Sequence, residues 1–316
     1  MRLVVITGCL GLIGSHLTKK CLELGWQVYG IDKVTYAANQ NLIQDFKKYD
    51  NFVFAKEDIA TLSYLPDCDY VINVAAESHV GNSIVESKDF IHSNVTGVKN
   101  LLDLIRKKQK NVDDLPVFLH FSTDEVYGDI AEGSHTELDI LSPSNPYSAS
   151  KACSDMLILA WARTYKMKYV IVRPTNNYGV GQYPEKLIPI SVKMLQRGRK
   201  IKLHDEGEPS RNWLHADDTA SAAVAIIQSG NTNEIYNIAG GFEQKNKQTV
   251  KKIVQCYFKD QRGSEDYVDL GFKREGQDVR YSLDDSKLRS LGWEPKKSFD
   301  DEIQNIVEFY RSNFKW

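Results

Sequence analysis

The first 32 residues limit what this chain can fold into more than any other stretch. Leu3-Val4-Val5-Ile6-Thr7 is an unbroken apolar run of strand length, the pattern of a strand covered on both faces of a parallel sheet. Gly8-Cys9-Leu10-Gly11-Leu12-Ile13-Gly14 follows at once, and Ser15 to Leu24 then carries apolar residues at helical spacing. Glycines at these positions permit a tight turn and let backbone N–H groups approach a pyrophosphate, whose charge a helix N-terminus favours. Val28-Tyr29-Gly30-Ile31 reads as the next strand and ends at Asp32. A carboxylate about 20 residues past such a turn accepts hydrogen bonds from the adenosine ribose hydroxyls. It would repel a 2′-phosphate, so the expected cofactor is NAD rather than NADP, and neighbouring Lys33 offsets this only slightly. Arg2 and the apolar run after it imitate a signal peptide, but Gly8, Gly11 and Gly14 and the lack of a small-residue cleavage site assign them to the fold.

The alternation continues. Phe52-Val53-Phe54 precedes Asp58, and Tyr70-Val71-Ile72-Asn73-Val74 precedes Ala75-Ala76-Glu77-Ser78. A long helical stretch is expected from about Ser83 to Lys108, and Val117 to Phe121 forms another apolar strand. Strands separated by helical patterns imply right-handed βαβ units and a doubly wound parallel sheet, an α/β Rossmann fold. We expect residues 1–175 to form it, with 213–240 returning to it, and 176–316 to build mainly a smaller, interleaved α/β lobe that binds substrate. Asp58 is placed either to face an adenine or to cap a turn, and the residues alone leave both readings open.

Composition excludes more than it selects. With 42% hydrophobic and 26% charged residues this is the composition of a globular protein, and 316 residues suffice for one large α/β domain with a lobe. A net charge of −2 gives no general reason to expect nucleic acid or an anionic membrane as partner. The cysteines (Cys9, Cys21, Cys68, Cys153, Cys256) are odd in number and unpaired in spacing, which predicts reduced thiols and a cytoplasmic location. The histidines show no metal-ligand spacing, so no metal is expected, and no apolar run reaches the ~18 residues of a spanning helix.

Two motifs carry chemistry. Ser122-Thr123-Asp124-Glu125-Val126-Tyr127-Gly128 falls where the strand 117–121 ends, at the sheet edge where ligands of such folds bind. Two carboxylates there can divide acid and base work if their surroundings separate their pKa values. Tyr147 and Lys151, in Asn145-Pro146-Tyr147-Ser148-Ala149-Ser150-Lys151, stand one helical turn apart on one face. An ammonium beside a phenol lowers a pKa that starts near ~10 and prepares the tyrosine to take a proton from a sugar hydroxyl.

Taken together, Gly8-x-x-Gly11-x-x-Gly14, Tyr147-x-x-x-Lys151 and Ser122 to Gly128 resemble the extended short-chain dehydrogenase/reductase family, and within it the nucleotide-sugar 4,6-dehydratases. The likeness also runs through Asp32-Lys33-Val34-Thr35-Tyr36, Ala75 to Val80, Asn176-Asn177-Tyr178-Gly179 and Tyr183 to Pro189. It continues in Arg211 to His215, Tyr236-Asn237-Ile238 and Asp278-Val279-Arg280-Tyr281. The resemblance implies dehydration of a nucleotide-diphosphate-glucose, dTDP-glucose foremost, with UDP-glucose or another hexose as alternative. Tyr147, Lys151 and Thr123 would serve oxidation at C4, Glu125 would remove the C5 proton, and Asp124 would protonate the departing C6 hydroxyl. Cofactor contacts are implied for Gly8, Gly11, Leu12, Ile13, Gly14, Asp32, Lys33, Thr35, Asp58, Ile59, Ala75, Ala76, Ser78, Ser93, Tyr147, Lys151 and Asn177. Substrate contacts are implied for Ser78, Thr123, Asn176, Lys186, Leu187, Lys202, His204, Arg211, Asn237, Arg274 and Gln277. Lys186 and Arg211 are the candidates for the diphosphate, while Asn176 and Asn237 either contact substrate or satisfy buried backbone.

Gly81-Asn82, His204 and Arg274 to Asp278 depart from the family's usual residues, which bears on the nucleotide and sugar rather than on the reaction. Ile188 to Leu195 reads as helical, and Asp217-Asp218 is expected to cap the helix through Ile227. The apolar stripes of the helices near 83–108 and 144–165 exceed what one sheet face needs, which with the resemblance predicts a homodimer joined by a four-helix bundle. Two competing readings are a 4-epimerase, which does not need Asp124-Glu125, and a catalytically silent NAD-binding regulator.

Overall fold

The computed structural model describes residues 2–108, 115–273 and 278–312. Its first half alternates as the pattern requires: β1 (Leu3–Thr7), α1 (Leu12–Glu23), β2 (Gln27–Asp32), α2 (Leu42–Phe46), β3 (Phe52–Lys56) and β4 (Tyr70–Asn73). After α3 (Val80–Val85), α4 (Lys88–Phe90) and α5 (Gly97–Lys107) come β5 (Val117–Phe121), α6 (Pro146–Tyr165) and β6 (Tyr169–Pro174). These strands, with β10 (Glu234–Ile238), form a seven-stranded parallel sheet ordered β10-β6-β5-β4-β1-β2-β3. Every residue of β5 is buried, because helices cover both faces and neither leaves a solvated side. Separate apolar clusters lie on the two faces, one around Ile6, Leu17 and Leu119, the other around Val5, Leu101 and Phe118. Truncating Leu119, which is fully buried, would cost about 2–5 kcal/mol.

The second half begins with β7 (Asn176–Tyr178), α7 (Leu187–Gln196), β8 (Ile201–His204) and β9 (Ser210–His215). Next, α8 (Ala216–Ser229) and β10 return to the large sheet, α8 packing on α1. β11 (Phe242–Lys245), α9 (Asn246–Phe258), β12 (Val268–Phe272), α10 (Ser286–Arg289) and α11 (Phe299–Ser312) complete the chain. β11-β9-β7 and β12-β8 form two small sheets, and a third apolar cluster joins Val192, Trp213, Val250 and Phe299.

Two local expectations change. The helix expected over 83–108 is broken: α3 ends at Glu86 in extended conformation (φ −151°, ψ 115°), and Ile91–Thr96 winds as π-helix before α5. The wider turn turns Ser93 and Asn94 inward, where Asn94 binds the Glu77 backbone and Ser150. Helix α8 is capped by the His215 ring, which accepts from the Asp217 N–H, and not by Asp217-Asp218. Asp218 is committed elsewhere, accepting the backbone N–H groups of Lys296 and Lys297. Among the described residues no helix is long and apolar enough to cross a membrane.

Candidate active site

A cleft of about 310 Å³ opens along the carboxyl ends of β1, β2, β4, β5 and β6. The β1–α1 turn forms one wall. Gly8 holds φ +67°, and a side chain there would meet the Ala75 backbone at 2.7 Å; one at Gly14 would lie 2.0 Å from the Gly8 carbonyl. Both positions therefore exclude every other residue. At the end of β2 the buried Asp32 carboxylate accepts the N–H groups of Leu10 (3.1 Å) and Val34 (2.8 Å), which aim it at the cleft. Burial raises its pKa. This wall fits a dinucleotide: close-approaching glycines for the pyrophosphate and a carboxylate for the ribose. Lys33 spans to Ser93 Oγ (2.8 Å) and Glu77 (3.3 Å).

The acidic pair occupies the neighbouring strand end. Thr123 is extended and its hydroxyl caps a 3₁₀ turn over Asp124–Tyr127. Asp124 is 3% exposed, its Oδ1 accepting from the Thr123 hydroxyl at 3.1 Å, its Oδ2 without a partner among the described residues. Burial, then the Glu125 charge, pushes the Asp124 carboxyl up to about 7. Glu125 is raised as well, by burial, against the pull of Arg211, the Asn145 amide and Lys186. Its Oε2 accepts from Asn145 Nδ2 (3.3 Å) and Tyr281 Oη (3.5 Å). The partners differ, and so do the roles: Asp124 can carry a proton to a leaving group while Glu125 receives one.

Helix α6 brings the remaining pair. Asn145 and Ser148 form a reciprocal cap with Pro146 in the first turn, which fixes Tyr147 and Lys151 at the cleft. The expected lowering of the Tyr147 phenol by Lys151 is not observed. Burial, then the charge of Glu125, raises it well above its ordinary value, with Thr123 working in the other direction. The Lys151 ammonium is directed beneath the cleft instead, donating to the Phe121 carbonyl at 2.6 Å and lying 3.2 Å from His120 Nε2. Burial brings its pKa down to about 8.

Of the other residues expected at the site, Leu12, Ile13, Thr35, Ile59, Ala75, Ala76, Ser78, Ser93, Asn176, Asn177 and Lys186 line this same cleft. Asn176 Oδ1 is buried without a partner among the described residues, and Lys186 Nζ donates to the Ser78 carbonyl at 2.8 Å. Several do not line it. Asp58 accepts the Ala60 N–H (2.8 Å) and faces His92 (3.0 Å), so the turn-capping alternative describes it. Asn237 is fully buried and donates to the carbonyls of His135 and Asp284 while accepting from Tyr127 Oη, which leaves nothing for a substrate. Arg211 donates to the carbonyls of Ser210 and Asp278 with its guanidinium over the Tyr281 ring, and its charge acts on both Asp124 and Glu125. Lys202 and His204 pack on Phe272, and Leu187 starts α7 beside Lys186. Arg274 and Gln277 lie outside the described residues. Sequence reasoning overlooked Glu77, Gln182, Tyr183 and Glu185 in the cleft wall, and Asn145 and Tyr281 as partners of Glu125. Among the described residues no group of His, Cys, Asp and Glu is placed to hold a metal ion.

A glycine turn on a parallel sheet, facing a tyrosine–lysine helix across a cleft, places this molecule among the extended short-chain dehydrogenases/reductases. The family described as GDP-mannose 4,6 dehydratase matches residues 5–306, and the chain belongs to it. Among its relatives, the low-salt glycan biosynthesis protein Agl12 of Haloferax volcanii is 36% identical, covering 97% of this chain and 98% of that protein. The dTDP-glucose 4,6-dehydratase of Haemophilus influenzae is also 36% identical, covering 99% of both chains. Among solved structures, DesIV, a dTDP-glucose 4,6-dehydratase from Streptomyces venezuelae with NAD bound, superposes with a TM-score of 0.90. It is 36% identical and covers 99% of this chain and 98% of its own.

Proposed function

We propose that this chain is an NAD-dependent hydro-lyase that converts dTDP-glucose to its 4-keto-6-deoxy product. The observation that carries this reading is the unequal acid pair Asp124–Glu125 in one cleft with Tyr147 and Lys151. The Gly8–Gly14 turn and Asp32 would hold NAD, which when bound would supply the hydride acceptor for C4 oxidation and the hydride donor for C6. Tyr147 takes the C4 hydroxyl proton, Thr123 favouring its phenolate and Lys151 serving the same oxidation step from one turn further along α6. The C4 ketone acidifies the C5 proton, which Glu125 removes, while Asp124 protonates the C6 hydroxyl so that it leaves as water. Glu125 then returns its proton to C5. An epimerase needs no such pair, and a silent regulator needs none of these groups. The relatives named as dTDP-glucose 4,6-dehydratases support thymidine as the nucleotide.

Residues 1–175, with 213–240 returning, hold the dinucleotide in this reading, and 176–316 mainly hold the nucleotide sugar, with Asn176 and Lys186 nearest it. The active molecule is a homodimer. Exposed Cys153, Met156 and Ala160 on one face of α6, with exposed Val85 and Ile91 nearby, support pairing across these helices. Light scattering giving a monomer at micromolar concentration would remove the dimer. The activity is tested by incubating the protein with dTDP-, UDP-, CDP- and GDP-linked glucose. A 4-keto-6-deoxy product from the dTDP sugar first is expected. A 4-epimer, or no turnover of any sugar, would overturn the reading.

A further inference from the structure

Beneath the cleft runs a row of polar side chains that the reaction does not use. The sheet register sets Thr7 beside Asn73 and Asn73 beside His120, so three adjacent strands point these residues to the same face. All three are fully buried, and Lys151 above them is 2% exposed. Ala75 N–H donates to Thr7 Oγ1 (3.3 Å), Thr7 Oγ1 to Asn73 Oδ1 (2.6 Å), and Asn73 Nδ2 lies 2.9 Å from His120 Nδ1. His120 Nε2 faces Lys151 Nζ at 3.2 Å. An apolar row would fill the same space in a sheet covered on both faces, so four linked polar groups there call for a function.

We propose that His120 is a positioning residue for the oxidation step: by switching tautomer within the buried chain Thr7–Asn73–His120 it holds Lys151 in place at the cleft in both its amine and its ammonium form. The proposal rests on Lys151 serving the oxidation step in the reading above. A neutral imidazole has one donor and one acceptor nitrogen, and the chain has two complete arrangements. In one, Thr7 donates to Asn73 Oδ1, Asn73 Nδ2 donates to Nδ1, and the Nε2–H donates to the Lys151 amine. In the other, the Lys151 ammonium donates to Nε2, Nδ1–H donates to Asn73 Oδ1 with the amide reversed, and Asn73 Nδ2 donates to Thr7. The ring holds one proton in both, so only its tautomer follows the charge on Lys151. Complete burial keeps the imidazole neutral, its pKa well below the ordinary value.

The other groups around Lys151 are accounted for. Asp155, one turn further along α6, attracts the ammonium, and it is itself paired with Arg173 of β6 at 3.0 Å. Tyr147, one turn earlier, lines the same cleft. β1 and β4 contribute Thr7 and Asn73, which carry no charge, and β5 contributes the Phe121 carbonyl.

The test is ¹⁵N NMR of the full-length, histidine-labelled protein with NAD bound, from pH 6.5 to 9.5. His120 is expected to pass from the Nδ1–H to the Nε2–H tautomer with an inflection near pH 8, the Lys151 value, without forming an imidazolium. The inflection is expected to vanish in Lys151→Met. In His120→Gln the pH inflection of single-turnover NADH formation should move by about one unit, a tenfold change in the amine-to-ammonium ratio. A single tautomer throughout in the unaltered protein, or a switch that persists in Lys151→Met, would overturn the proposal. No sugar enters the NMR measurement, so its failure is separate from failure of the proposed function.

Discussion

Replacing Asp124 with Asn should make the protein more stable and nearly inactive. Burial first and the Glu125 charge second push the folded Asp124 carboxyl up to about 7, against the ordinary 3.8 of a free Asp side chain. Between about pH 4 and 7 the folded state thus holds a proton that the unfolded chain has lost. The contribution is fully present below the unfolded value and is lost as pH rises through the folded one. At about 1.36 kcal/mol per unit over roughly three units, the upper limit is ~4 kcal/mol. Asn cannot ionise, so the variant escapes this loss. Urea or thermal melts of the protein without substrate should therefore differ by only about 1 kcal/mol near pH 4.5 and separate by about 2–4 kcal/mol at pH 8. For a chain of this size that is roughly 5–10 °C. The rate of dehydration should fall about 10²–10⁴-fold, the usual worth of a positioned acid. Parallel melts at both pH values, or a less stable variant at pH 8, would refute the reasoning.

Tyr147→Phe should abolish formation of bound NADH, whereas Glu125→Gln should form NADH with a 4-keto hexose and stall there; absorbance in a single turnover separates the two. Gly14→Ala should cost NAD binding at least about tenfold in a fluorescence titration, because the added carbon would sit 2.0 Å from the Gly8 carbonyl. Asp155→Ala should lower stability by about 3–5 kcal/mol in urea melts, since it leaves Arg173, 2% exposed, charged and uncompensated in the core.

The parts of the site that could be read from the chain alone are those made by consecutive residues. The β1–turn–α1–β2 unit is local: Gly14 is required by an approach within the same 32 residues and Gly8 by one to the adjoining strand end. Thr123, Asp124 and Glu125 are carried by one 3₁₀ turn, and Tyr147 and Lys151 by one helix. What escaped depends on distant segments. Tyr281 reaches Glu125 only because 278–281 crosses to β9, with Ser210 donating to the Val279 carbonyl. Asn237 and Arg211 belong to family-like motifs, yet their hydrogen bonds go to backbone carbonyls that no spacing rule reveals. The direction of Lys151 is the same kind of fact, since i,i+4 spacing sets a shared face but not which buried acceptor wins the ammonium. Helical spacing over 83–108 likewise does not reveal the extended backbone at Glu86 or the π-helical turn at Ile91–Thr96.

Internal hydride return is the central claim, and dTDP-glucose deuterated at C4 tests it most directly. Mass spectrometry and NMR of the product should find the label at C6 of the same molecule, with no net release of NADH. Label retained at C4, or washed into free NADH, would contradict the mechanism.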